Sequence, residues 1–120
     1  MAVTVDQVRA ALARVRFVYA REAELQEGIG RVLEAAFPGQ VQREVQLDGG
    51  RSRLDFLVGA VAVEVKIDGS LSELTRQVQR YASRLEVSGV LAVVGRARLR
   101  NLPESLCGKP IGVLHLAGAL

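Results

Sequence analysis

The stretch Leu54-Asp-Phe-Leu-Val-Gly-Ala-Val-Ala-Val-Glu-Val-Lys66 decides the fold. Two apolar runs rich in β-branched residues flank Gly59-Ala60, the signature of two strands joined by a two-residue hairpin. Asp55, Glu64 and Lys66 interrupt these runs. Removing a charge from water costs several kcal/mol unless the charge is paired or used, so three of them in the most apolar strands need a reason.

Alternation along a strand puts Glu64 and Lys66 on one face and the neighbouring valines on the other. With Gly59 at the first position of a type II′ turn, Val58 pairs with Val61 and Leu57 faces Ala62. That register sets Asp55 opposite Glu64, with Cβ atoms about 5 Å apart. Two carboxylates so close repel unless a cation lies between them. The oxygen-rich patch suits Mg²⁺, which takes one or two carboxylates and keeps several waters, and Lys66 stands beside it. Such a group of residues fits phosphodiester hydrolysis, by polarising a phosphoryl oxygen and activating water. The same residues taken as a cross-strand salt-bridge cluster at a wet sheet edge are the plainer alternative.

Outward from this hairpin, the sequence reads as helices and strands in a definite order. Thr4 and Gln7 form a capping box, and Val5, Val8, Leu12 and Val15 follow at helical spacing. A second helix runs from Glu22 to Ala36 and stops at Phe37-Pro38-Gly39, either separate from the first or continuous with it through a bend. Val41 to Leu47 alternates as a half-exposed strand with Gln42, Glu44 and Gln46 on one face, and Asp48-Gly49-Gly50 is a turn. After the hairpin, Ser70 or Ser72 caps a helix reaching Leu85, with Leu71, Leu74, Val78, Tyr81 and Leu85 as its apolar stripe. Val90 to Val94 is a further strand, Gly95 to Pro103 a basic connection with a short helix, and Ile111 to Leu116 a last strand. The expected fold is α/β with a mixed sheet: a core of helix, three strands, helix and strand over 21–94, an N-terminal helical extension over 1–20, and a basic loop and final strand over 95–120, all in one domain.

Composition narrows the class. The chain has 120 residues and a formal net charge of +3, and of its 16 basic residues only Lys66 and Lys109 are lysines. An ammonium at the strand end is therefore a departure from the chain's habit of using Arg, and the two are not interchangeable. No apolar run approaches the ~20 residues that span a bilayer, and the start lacks a secretory leader pattern. The single Cys107 reads as a small hydrophobe beside a turn, and the expected setting is cytoplasmic. His115 reads as a strand residue, and with no second His or Cys pair nothing points to zinc.

Asp55 in one strand and Glu64-Val65-Lys66 in the next, inside this order of elements, resemble the PD-(D/E)XK nuclease superfamily, the restriction-endonuclease-like fold. The residue before Asp55 is Leu54, where the family often has proline. Gln77 and Tyr81, one helical turn apart, are similar to the Q-x-x-x-Y element of RecB-like nucleases, in which these side chains support the active site and the DNA. The resemblance implies a Mg²⁺-dependent DNA endonuclease, with Mn²⁺ able to substitute, leaving 5′-phosphate and 3′-hydroxyl ends. Asp55 and Glu64 would hold the metal, Lys66 would assist the water or the phosphate, and Glu24 or Glu27 on the preceding helix would assist the metal. Arg51, Arg53, Arg76, Arg80, Arg84, Arg96 and Arg98 are candidates for phosphate contacts, which give affinity without sequence information. So short a chain leaves little room for sequence recognition, so structure-directed or weakly specific cutting is expected, with specificity from partner proteins or a homodimer through the N-terminal helix. A non-catalytic nucleic-acid- or protein-binding module on the same fold is the other reading.

Overall fold

The computed structural model describes residues 2–116, so the last four positions of the expected C-terminal region lie outside the described residues. Three helices, α1 (Val5–Ala13), α2 (Glu22–Ala36) and α3 (Leu71–Ala82), enclose a six-stranded mixed sheet. The strands are β1 (Val41–Leu47), β2 (Ser52–Val58), β3 (Val61–Lys66), β4 (Gly89–Val94), β5 (Ser105–Leu106) and β6 (Lys109–His115), in the spatial order β1-β2-β3-β4-β6-β5. β1, β2 and β3 form an antiparallel meander, and α3 carries the chain across to β4, parallel to β3. β6 continues the parallel part, and β5 closes a small hairpin on it that the sequence did not announce.

Binary patterning assigns the two faces. Val61, Val63 and Val65 of β3, with Leu91 and Val93 of β4, pack against Val5, Val8 and Leu12 of α1 and Leu25, Ile29 and Leu33 of α2. Ala62, Val90, Ala92 and Val94 point the other way, toward Leu74, Val78 and Tyr81 of α3 and Leu99 of the late turn. Strands buried on both faces explain why their apolar runs are nearly continuous. Thr4 and Gln7 make the capping box of α1 as expected, and α1 and α2 are separate helices. The apolar stripe of α1 is spent on its own sheet, so it is not a free face for a second copy. α3 ends earlier than its pattern implied: Ser83 is the C-cap, and Leu85 lies in the following turn fully exposed, not in the core.

β1 departs from simple alternation. Arg43 pairs with Phe56 and Val45 with Leu54, so the register is unbroken, but Glu44 between them takes φ 51°. A left-handed conformation at a non-glycine residue costs about 1–2 kcal/mol. Across it the strand changes faces: Val41 packs on the α2 side and Val45 on the α3 side. Gln42, Glu44 and Gln46 are exposed, but they do not share one regular face as the sequence implied. The kink stands opposite Asp55, the residue flanked by Leu54 and Phe56.

Candidate active site

The β2–β3 hairpin turns at Gly59, whose φ of 58° suits glycine, and pairs Val58 with Val61, Leu57 with Ala62 and Phe56 with Val63. Beyond Phe56 the regular ladder stops, at the step where Asp55 would face Glu64. There the Asp55 side chain replaces the missing strand contact, its Oδ2 accepting from the Val65 N–H at 2.8 Å. One residue pair further, Glu22 at the start of α2 does the same, accepting from the Ile67 N–H at 3.0 Å. Two carboxylates thus cap the N–H groups of Val65, in β3, and of Ile67, just past its end, where the sheet opens.

Glu64 points to the α3 side and is only 6% exposed. Tyr81, itself buried, donates from its hydroxyl to Glu64 Oε1 at 3.1 Å and lies 3.2 Å from the Arg53 carbonyl oxygen. Burial pushes the Glu64 carboxyl up to about 8, the charge of Asp55 adds to the rise, and the Tyr81 hydrogen bond and Lys66 oppose it. Burial likewise raises Asp55 to about 6, against the Val65 hydrogen bond and with help from the negative charge of Glu22. Lys66 is half-buried and has no carboxylate within 4.0 Å among the described residues. The result is an electrostatically unbalanced group: two carboxyls raised by burial, with the charge of Asp55 opposing the ionisation of Glu64, beside an ammonium without a carboxylate partner.

These features fit a divalent cation by donor chemistry. A hard cation would offset the burial that raises both carboxyls and the Asp55 charge that adds to the rise of Glu64, and Mg²⁺ is commonly bound by one or two carboxylates with waters and substrate phosphates completing its shell. Among the described residues no three His, Cys, Asp or Glu side chains are grouped to hold a metal alone. Asp55 and Glu64 are therefore the protein's candidate ligands, with the remaining positions left to water and phosphate.

The other expected residues divide sharply. Gln77 faces inward from α3 and its Oε1 is buried without a hydrogen-bond partner among the described residues. Glu24 is a helix cap, accepting from Ala20 and Arg21 N–H at 3.1 and 3.0 Å, which lowers its pKa. Glu27 pairs with Arg43 at 3.1 Å and Arg31 at 3.7 Å. Neither acts on the Asp55–Glu64 group, whereas the negative charge of Glu22 raises both carboxyls. Glu22 precedes the buried Leu25 and Ile29 by three and seven residues, so the helical stripe pointed it at the sheet. That phase was the missed signal.

Of the arginines, Arg53 pairs with Glu44 at 3.3 Å, Arg84 with Asp48 at 2.5 Å, and Arg96 and Arg98 with Asp68. Arg76 is exposed and unpaired among the described residues, and Arg80 and Arg51 carry no carboxylate partner. Ser52, which donor or acceptor patterning alone did not single out, receives a hydrogen bond from Arg80 Nη1 at 3.2 Å.

No family model, curated protein or solved structure matches this chain. No helix among the described residues is long and apolar enough to cross a membrane.

Proposed function

We propose that the chain is a metal-dependent DNA nuclease of the PD-(D/E)XK type, hydrolysing phosphodiester bonds with water. The observation that carries the reading is a nearly buried Glu64 that feels the charge of Asp55 at the point where β2 and β3 separate, with the unpaired Lys66 two residues on. A salt-bridge cluster would place Lys66 on one of the carboxylates, and no such contact is made. The meander, crossover helix and parallel fourth strand, with α2 in front, support a restriction-endonuclease-like core.

Asp55 and Glu64 would hold Mg²⁺ or Mn²⁺, which when bound supplies phosphoryl polarisation and a water of lowered pKa. The chain's own residues do the positioning. The Val65 N–H fixes Asp55, and the Tyr81 hydroxyl fixes Glu64 and favours its ionised form. Lys66 offers a compact positive charge to a phosphate oxygen or to the attacking water. Gln77, with a free buried oxygen one turn from Tyr81, orients a donor entering from the substrate or its water. Glu22 locks the end of β3 through Ile67 and adds negative charge that favours cation binding.

The test is cleavage of single-stranded, duplex and branched DNA with Mg²⁺ and Mn²⁺. Lys66→Ala should reduce metal-dependent cutting by about 10²–10³, the usual cost of removing one charge-stabilising group. Equal cutting by the variant and the wild type would overturn the assignment, and metal binding without DNA binding would point to a different substrate.

A further inference from the structure

A second constellation stands on the α3 side of the sheet, at the opposite end of β2 from the hairpin. The Asp48–Gly50 turn, the start of β2 and the last turn of α3 border an open concavity of about 470 Å³ lined by Asp48, Arg51, Ser52 and Arg80. Its one acid is already neutralised, because Asp48 Oδ1 receives Arg84 Nη1 at 2.5 Å. Its two lining arginines have no carboxylate partner among the described residues, and Arg80 instead donates to the hydroxyl of the buried Ser52. Two uncompensated guanidinium groups and a hydroxyl in one concavity are the donor set of an anion site, and guanidinium geometry matches the oxygens of a phosphate.

We infer that this pocket binds a backbone phosphate of the nucleic acid whose scissile bond lies at Asp55 and Glu64. The inference rests on the proposed nuclease reading and adds a direction to it. Ser52 precedes Asp55 by three residues of extended chain, about 10 Å. That distance is within the reach of a single nucleic-acid strand contacting both places. Rigid contacts join the two sites: Arg80 is adjacent to Tyr81, whose hydroxyl bridges Glu64 and the Arg53 carbonyl of β2. The bound strand therefore runs from the metal-binding edge along β2 toward the Asp48–Gly50 turn. Arg53, Arg84, Arg96 and Arg98 are engaged by carboxylates and take no part in this contact.

Two measurements on the full chain test this. Inorganic phosphate titrated into the protein and followed by backbone amide NMR should shift Arg51, Ser52 and Arg80; shifts confined to other residues overturn the pocket. Binding of a fluorescent single-stranded oligonucleotide, measured by anisotropy in Ca²⁺, should weaken about tenfold in Arg51→Gln/Arg80→Gln, and the salt dependence should lose about one unit of slope. Arg14→Gln, a charge loss on the far side of the sheet, should change affinity less than twofold. An equal loss in Arg14→Gln overturns the site in favour of bulk charge. Phosphate shifts at Ser52 with no oligonucleotide binding overturn the nucleic-acid assignment, whereas pocket-dependent oligonucleotide binding without metal-dependent cleavage upholds the pocket and defeats the nuclease reading.

Discussion

The Tyr81 hydroxyl lies 3.1 Å from Glu64 Oε1, joining the crossover helix to the most buried carboxylate of the sheet. Burial and the neighbouring Glu64 charge push the hydroxyl's own pKa up, so it remains a donor throughout the working pH range. That single bond makes α3 part of the candidate site, in addition to its packing role through Leu74 and Val78.

Tyr81→Phe keeps the ring in the core and removes the donor. Glu64 then loses the hydrogen bond that opposes its raised pKa, so its ionisation moves to still higher pH. The acid limb of a pH–rate profile for metal-dependent cleavage should shift upward, and metal affinity should fall about 10–100-fold, as for loss of a ligand's supporting hydrogen bond. An unchanged acid limb would mean that Tyr81 serves packing alone.

The raised carboxyls also set the pH dependence of stability. Glu64 rises from 4.5 to about 8 and Asp55 from 3.8 to about 6, so between those limits the folded protein binds more protons than the unfolded chain. Stability of the metal-free protein should therefore be greatest below about pH 3.8 as far as these two groups are concerned, and fall as pH rises toward 8. Glu64→Gln removes the buried charge, so its melting temperature should exceed the wild type's at pH 8, with the gap closing toward pH 5. Mg²⁺ should raise the melting temperature of the wild type at pH 8 and leave Glu64→Gln unmoved. A metal-free wild type that gains stability from pH 5 to 8 relative to Glu64→Gln would contradict the assignment.

Glu22 and Glu24 offer a clean contrast on one helix. Glu22→Gln weakens the cap on the Ile67 N–H and removes negative charge beside Asp55, so it should lower both metal affinity and cleavage rate. Glu24→Gln weakens the bonds to Ala20 and Arg21, so it should lower the melting temperature while leaving the cleavage rate intact. Calorimetric metal titration beside thermal melts separates the two outcomes.

Much of this arrangement was legible in the hairpin. A two-residue turn at Gly59-Ala60 fixes register, and a period of two then decides which residues share a face. α2 was legible for the same reason, an uninterrupted stripe with a Pro-Gly stop. The sequence was silent where a side chain overrides the backbone pattern. Asp55 reaches across to the Val65 N–H, so strict facing of Asp55 and Glu64 gives way to an opened ladder. Glu44 adopts a left-handed conformation that no propensity favours, and the change of face along β1 follows from it. Leu85 fits the helical period yet lies outside the helix, because the Ser83 cap ends α3 before the stripe does. Glu24 and Glu27 were both singled out by their mutual spacing; phase relative to Leu25 and Ile29 instead points Glu22 at the sheet.

Gly69 provides a last test, one that moves Lys66 without mutating it. A Cβ at Gly69 would lie 2.9 Å from Lys66 Cε and 3.7 Å from Nζ, and the residue's φ of 130° is one that L side chains rarely adopt. Gly69→Ala should therefore lower stability through backbone strain of about 1–3 kcal/mol and displace the ammonium, the flexible partner in the contact. Gly39→Ala is the matched control: φ is 76° there, and a Cβ would meet nothing within 4 Å. Both variants should melt earlier than the wild type. Only Gly69→Ala should lower kcat for metal-dependent cleavage, by about tenfold or more for a misplaced charge-stabilising group. Equal kcat in the two variants would show that the position of Lys66 does not limit the reaction.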